Sequence, residues 1–310
     1  MRLLLLGCSG FIGRELVPWL LDQGHELTLV SRRPQPFPAL ADRLVALNLD
    51  PAQPASWRHP QLLAALGAAD GVVNLAGEPI AERRWSEAQL QILRSSRLST
   101  TASLVAAMAA LPQPPSVLVN ASAVGFYGTS EAARFCESSG PGDDFLAALC
   151  RDWEQQAQAA PAGCRVVILR IGIVLGPDGG ALGRMLPVFR AGFGGPIGSG
   201  QQWMSWIHRH DFCRLVGQAL RDASYTGVIN AVAPEPVRMV DFSSALGTAL
   251  RRPSLLPVPG PVLQLLLGDG AKVVLEGQQV VSERLSGLGF EFEYGDLKAA
   301  LAAATSPESR

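Results

Sequence analysis

Short apolar runs alternate with amphipathic stretches through the first two-thirds of the chain. Leu3–Leu6 reads as a buried strand, and Phe11–Gln23 as a helix stopped at Gly24, with Pro18 expected to kink it. Further strands are predicted at Glu26–Val30, Leu44–Leu49, Gly71–Leu75, Ser116–Ala121 and Arg165–Val174. Helices are predicted over Trp85–Ala110, ended by Leu-Pro-Gln-Pro-Pro, and over Phe145–Ala159. This alternation implies an α/β fold: a Rossmann-type, doubly wound parallel sheet with helices on both faces. Beyond Val174 glycine and proline thicken, then Trp203, Trp206 and His208 arrive together. The expected organisation is a sheet domain over residues 1–174 and a smaller substrate lobe over 175–310. That lobe is partly interleaved with the sheet, with a C-terminal subdomain at about 253–303. A short aromatic alternation runs from Phe290 to Tyr294, and residues 306–310 read as a frayed end.

Composition narrows the chemistry. Charged residues are 17% of the 310, below the usual quarter, so a disordered or coiled-coil chain is excluded. A net charge of −1 gives no footprint for nucleic acid or for an acidic membrane surface. Lysine occurs only as Lys272 and Lys298, so no P-loop or Schiff-base lysine exists in the first 271 residues. The five cysteines are odd in number and form no C-x-x-C pair, and the histidines add no ligand-spaced cluster. No metal site or disulfide framework is expected. The opening apolar stretch is too short for a signal segment, and no later run reaches a membrane span. A cytoplasmic protein is the expectation.

The turn Gly7-Cys8-Ser9-Gly10-Phe11-Ile12-Gly13 follows a predicted strand and opens a predicted helix. Glycines there let backbone approach a pyrophosphate, and the helix start offers free N–H groups to it. A plain glycine-rich turn is the alternative. The second strand then ends Ser31-Arg32-Arg33, where an NAD-binding chain carries a carboxylate for the ribose 2′-hydroxyl. Two guanidiniums and a hydroxyl suit a 2′-phosphate instead, unless they are merely solvated. NADP(H) is therefore the expected cofactor. Asp50 after the third strand, and Asn74, Leu75, Ala76 and Gly77 after the fourth, stand at strand ends where such sheets bind ligands.

Together with VNLAGEPI at 73–80, NASAVGFYG at 120–128, GSGQQWMSWIHRHD at 198–211 and the closing stretch Leu275–Phe292, this turn resembles the extended short-chain dehydrogenase/reductases. More narrowly the chain resembles an atypical subgroup known as sugar-nucleotide epimerases or cell-division inhibitors, with a small C-terminal domain. The family mechanism uses a Ser, a Tyr-x-x-x-Lys pair and an Asn. Anchored on Glu154, the resemblance puts Leu146 at the tyrosine position and Cys150 at the lysine position. Ser122 matches the family serine, expected to hydrogen-bond a substrate carbonyl, and Arg97 falls where the asparagine belongs. Cys150 is either a site residue and base or a small buried side chain; Ser122 is either catalytic or a strand-end hydrogen-bonder. Tyr127 stands wrongly for the family base. With Trp203, Trp206 and His208 it is expected to shape a pocket for a small molecule, which the resemblance makes a nucleotide sugar. Asp211 reads as a helix-start residue.

Two functions follow as expectations. One is an NADP-binding epimerase/dehydratase-like oxidoreductase without the Tyr–Lys pair; the other is a non-catalytic NADP(H) sensor or assembly protein. A homodimer is admitted by the sequence but not demanded by it.

Overall fold

The computed structural model describes residues 1–306, so the frayed end expected past Ser306 lies outside the described residues. Seven strands form one parallel sheet. They are β1 (Arg2–Leu6), β2 (Glu26–Ser31), β3 (Leu44–Asn48), β4 (Gly71–Asn74), β5 (Val117–Ala123), β6 (Arg165–Ile171) and β7 (Gly227–Ala231). Their order is β7-β6-β5-β4-β1-β2-β3. The order reverses between β1 and β4, the switch point where ligands bind at the carboxyl ends of such sheets. The main helices are α1 (Gly13–Asp22), α2 (Pro60–Ala68), α3 (Glu87–Ala109), α4 (Phe145–Gln158), α5 (Gly180–Arg190), α6 (Arg209–Arg221) and α7 (Met239–Leu250).

The four leucines of β1 show why an unbroken apolar run forms a central strand. Side chains alternate across a strand, so Leu3 and Leu5 join one core layer while Leu4 and Leu6 join the other. The first layer includes Leu16, Val17 and Leu20 of α1 and Phe212, Leu215 and Val216 of α6. The second includes Leu62 and Leu66 of α2 and Leu104 and Met108 of α3. A separate core of Leu182, Leu186, Phe242 and Leu246, with Leu301 near the C-terminus, holds the second lobe together.

Three local expectations change. Helix α1 runs unbroken through Pro18, because the carbonyl that proline leaves unbonded belongs to the exposed Arg14 turn. The strand expected over Arg165–Val174 divides at Gly172, and Ile173–Leu175 pairs with Trp206–His208 instead. A Cβ on Gly172 would stand 2.5 Å from the Ser205 carbonyl oxygen, so only glycine permits this close change of partner. Strand β7, absent from the sequence expectation, enters the sheet from the later third of the chain. The Phe290–Tyr294 alternation forms no strand. Its backbone is pinned by the buried Asp211 carboxylate, which accepts from the amides of Glu293 at 2.8 Å and Tyr294 at 2.9 Å.

Candidate active site

The glycine turn links β1 to α1 at the switch point, and its three glycines do different work. Gly7 has φ +73°, and a Cβ there would lie 2.3 Å from the Ala76 amide nitrogen. Gly13 packs against the Cys8 carbonyl, where a Cβ would come within 1.7 Å. Gly10 is the contrast: a Cβ there meets nothing within 4 Å. The α1 ladder begins with Arg14 N–H bonding to the Gly10 carbonyl at 3.1 Å, so the amides of Phe11, Ile12 and Gly13 precede it. Two glycines hold the turn in place, and the third keeps open the space before a helix N-terminus. That is the shape a dinucleotide's pyrophosphate requires.

Around the turn, Ser31 is buried and accepts from the Arg33 amide at 3.0 Å, while the Arg32 and Arg33 side chains are exposed. Arg32 reaches toward Glu78 at 3.9 Å. Asp50 accepts from the Ala52 amide at 3.0 Å and so shapes its own turn. Asn74 is fully engaged inside the protein. Its amide nitrogen donates to Asn120 at 2.7 Å and to Thr101 at 3.0 Å, and its oxygen accepts from the Ala76 amide at 3.2 Å. It shapes the 75–77 loop rather than offering itself to a ligand. Phe11 is covered by the loop at Gly176, Gly179 and Gly180, where Cβ atoms would crowd its ring. Arg209 fixes that corner. It bonds Glu15 at 2.6 Å and the Phe11 carbonyl at 3.1 Å, and it also reaches Asp178.

Beside the turn opens a cleft of about 540 Å³. It brings together Ile12, Leu75 and Gly77 of the turn region with Arg97, Ser122 and Cys150. Ser122 ends β5 and donates its proton to Glu154 of α4 at 2.6 Å. Glu154 in turn accepts two bonds from Arg170, from Nε and Nη2, each at 2.8 Å. Arg170 also donates to the Tyr127 hydroxyl at 2.9 Å, and Tyr127 donates to Asn230 at 2.7 Å. Side-chain exposure of 5% on both Glu154 and Arg170 makes this a desolvated, bidentate ion pair. Cys150 lines the same cleft as Ser122. Burial, and then the Glu154 charge, push its thiol up to about 11, outweighing the opposite pull of Arg97. It is therefore a neutral thiol near pH 7, and the expected role of a thiolate base fails for want of net positive charge.

Several expectations about the pocket are corrected by these contacts. Ser122 is not free to donate to a carbonyl, since its one proton is committed to Glu154. Tyr127 is 3% exposed and sits behind the cleft wall, bonded on both sides. Trp206 is buried in the second-lobe core, with its indole N–H on the Glu235 carbonyl at 3.1 Å. His208 caps α6 by accepting from the His210 amide at 3.2 Å and packs 4.1 Å from the Tyr294 ring, while burial lowers its pKa. Trp203 alone of the four reaches the cleft. The sequence reading missed Trp85, Phe145, Trp153 and Lys272, which also line it. Lys272 comes from just past the residues that the lysine count cleared. Its signal was in view, since a chain with two lysines had one near the resembling C-terminal stretch.

Among the described residues no group of His, Cys, Asp and Glu could hold a metal ion, and no helix is long and apolar enough to cross a membrane. Comparison with known proteins agrees with the geometry. Residues 3–231 match the NAD dependent epimerase/dehydratase family, and residues 258–304 match a domain of unknown function, DUF1731. The chain is 45% identical over 303 residues to the chloroplastic epimerase family protein SDR39U1 homolog of Arabidopsis thaliana, covering 96% of this chain and 84% of that one. The crystal structure of human epimerase family protein SDR39U1 (isoform 2) with NADPH superposes with a TM-score of 0.88 at 38% identity, covering 98% and 99% of the two chains. A nucleoside-diphosphate sugar epimerase from Corynebacterium glutamicum gives 0.75 at 32% identity, covering 98% of this chain and 57% of that one. The chain belongs to the NAD dependent epimerase/dehydratase family, alongside the epimerase family proteins SDR39U1.

Proposed function

We propose that this protein is an NADP(H)-dependent oxidoreductase of the epimerase/dehydratase type that acts on a small molecule without a tyrosine–lysine pair. The observation that carries the reading is Gly10, open to solvent at the start of α1 and directly beside a cleft containing Ser122 and Arg97. The cofactor named in the human relative's structure fits the residues present here: the turn would take its pyrophosphate, and Arg32 and Arg33 its 2′-phosphate. When bound, NADP(H) supplies or accepts the hydride.

The chain's own part is proton handling and exclusion of water. Because Ser122 gives its proton to Glu154, its oxygen presents lone pairs toward the cleft. It accepts from a carbinol hydroxyl, and as the carbinol proton passes to Ser122 its own proton passes to Glu154. Arg170 holds that carboxylate in place. Leu146 and Cys150 line the cleft at the positions where the family resemblance places tyrosine and lysine. Neither supplies a charge near pH 7. The sensor reading is disfavoured by an open cleft of about 540 Å³ next to the turn.

The test is nicotinamide fluorescence titration with NADPH and NADH. The expected result is at least a tenfold preference for NADPH, about 1.4 kcal/mol, narrowed by Arg32→Ala or Arg33→Ala. Equal affinities would remove the 2′-phosphate assignment.

A further inference from the structure

Among the described residues Arg97 is the one buried charged residue of the cleft that no opposite charge pairs with. It stands on α3 and is 8% exposed, and that residual surface opens on the cleft. No carboxylate pairs with it among the described residues. Its Nη1 donates to the Leu93 carbonyl at 3.2 Å and to Ser96 Oγ at 3.5 Å, and its Nη2 donates to the Glu78 carbonyl at 3.0 Å. The Nε hydrogen and one on Nη2 have no acceptor among the described residues. Glu78 is within electrostatic range, but its carboxylate points to Arg32. Gly77 leaves room for the guanidinium, since a Cβ there would come within 2.9 Å of its Cζ. The Trp153 ring stands 5.3 Å away.

A buried cation without a counter-ion is costly, and a protein that keeps one facing a cavity keeps it for an anion that arrives there. The remaining charges divide by depth. Asp269, Lys272 and Glu276 are exposed at the rim, and Glu276 already accepts from Thr129 at 2.8 Å. Asp144 caps α4, accepting from the Ala147 amide at 2.8 Å. Only Arg97 is charged, buried and unpaired. Trp153 stands beside it, and Ile80, Trp85, Phe145 and Leu146 add apolar surface to the same cleft.

We infer that the substrate is a compact carboxylate with an apolar body, its carboxylate paired to Arg97 and its reacting carbon beside Ser122. Arg97, Ser122 and Cys150 line the same cleft, and the Cys150 thiol feels the Arg97 charge, so the groups face one space. A guanidinium with free adjacent N–H groups matches a carboxylate's two oxygens. A nucleotide sugar also carries anionic charge, and polar side chains such as Thr129, Ser205, Glu276 and Gln278 line the cleft too. The aromatic and aliphatic share of the wall nevertheless suits an apolar body, and the experiment includes the nucleotide sugar as the competing outcome. The inference rests on the oxidoreductase reading for the site and sharpens the class of substrate it takes.

The experiment is isothermal titration calorimetry on the full chain, with and without NADPH. The probes are phenylpyruvate, 4-phenylbutyrate and 4-methyl-2-oxopentanoate, each paired with its carboxamide, and UDP-glucose. At least one carboxylate should bind tenfold or more tightly than its amide. Arg97→Gln should erase that preference and Arg97→Lys retain part of it, while NADPH affinity changes less than threefold. The proposal is overturned if no carboxylate outranks its amide in the wild type, which needs no variant to fold. It is equally overturned if UDP-glucose binds tenfold tighter than every carboxylate, or if Arg97→Gln chiefly weakens NADPH, which would assign the guanidinium to the cofactor. Absence of NADPH binding in the wild type would instead remove the oxidoreductase reading and leave the carboxylate preference to be judged on the apo protein.

Discussion

Replacing Glu154 by glutamine should destabilise the protein far more than a change of one atom suggests. The carboxylate accepts three bonds, one from Ser122 and two from Arg170, and both charged partners are buried. Glutamine keeps one acceptor oxygen. It turns an NH₂ toward a remaining donor and leaves the Arg170 guanidinium, 5% exposed, without a counter-ion, held by the retained oxygen, the Tyr127 hydroxyl and the Phe126 ring. Breaking one side of a buried pair costs about 3–5 kcal/mol, and the retained oxygen places this change near the lower end. At roughly 2 °C per kcal/mol for a chain of this size, the midpoint should fall by roughly 6 °C. Urea denaturation followed by circular dichroism measures the loss, and a cycle with Arg170→Met apportions it. The double variant should recover much of the stability, because an apolar methionine no longer needs a charge beside it. A loss below about 1 kcal/mol, or strictly additive single changes, would show that this pair is solvated and weak.

Two further outcomes follow from the turn and from the α6 corner. Gly10→Val should lower NADPH affinity by at least about a hundredfold while shifting apo stability by no more than about 0.5 kcal/mol, because its Cβ enters empty space. Gly13→Ala, forced to within 1.7 Å of a carbonyl oxygen, should instead impair folding; equal behaviour of the two variants in melting and titration experiments would refute this division of labour. His210 donates to Glu15 at 3.0 Å and has Glu293 at 3.3 Å from its other nitrogen, and the bond to Glu15 raises its pKa above 6.5 against the effect of burial. A raised folded value means that the ion pair's stability is fully present below pH 6.5 and is lost as pH climbs through the raised value. The difference between wild-type and His210→Gln stability should shrink over that interval, and a difference independent of pH between 5 and 9 would sink the assignment.

The sheet was legible because its signals are local. An apolar run between turns, a glycine cluster and a capped helix each act within a few residues, so β1 to β6 and the helices α1, α3 and α4 lie close to where the pattern puts them. Ser86 and Asp144 are examples, each accepting from an amide three residues on to start α3 and α4. Strand β7 escaped because its five residues, Gly-Val-Ile-Asn-Ala, offer only a two-residue apolar core, too little to separate a strand from a loop after α6. The site was harder for a physical reason. Whether a polar side chain serves a ligand or the fold depends on partners far away in sequence: Tyr127 is claimed by Asn230, Asp211 by the amides of Glu293 and Tyr294, and Asn74 by Asn120.

The same long-range accounting gives Arg97 its significance. A sequence shows a guanidinium on a helix, and the bland expectation for such a group is an exposed or paired surface charge. Its neighbours decide otherwise. Arg170 is equally buried in the same region and is fully answered by Glu154, so this protein builds counter-ions where it wants a charge silenced. Around Arg97 it instead supplies backbone carbonyls that hold the group in position without neutralising it. It also supplies a glycine that leaves room for the guanidinium near a tryptophan. Two buried arginines on elements that both pack against α4, one paired and one unpaired, therefore divide the work. Arg170 fixes the Glu154 carboxylate that accepts from Ser122, and Arg97 keeps a buried positive charge in a cleft wall that is largely apolar. A neutral substrate would gain nothing from the second arrangement and would have to bury itself against an unsatisfied cation. Only an anionic one repays its desolvation.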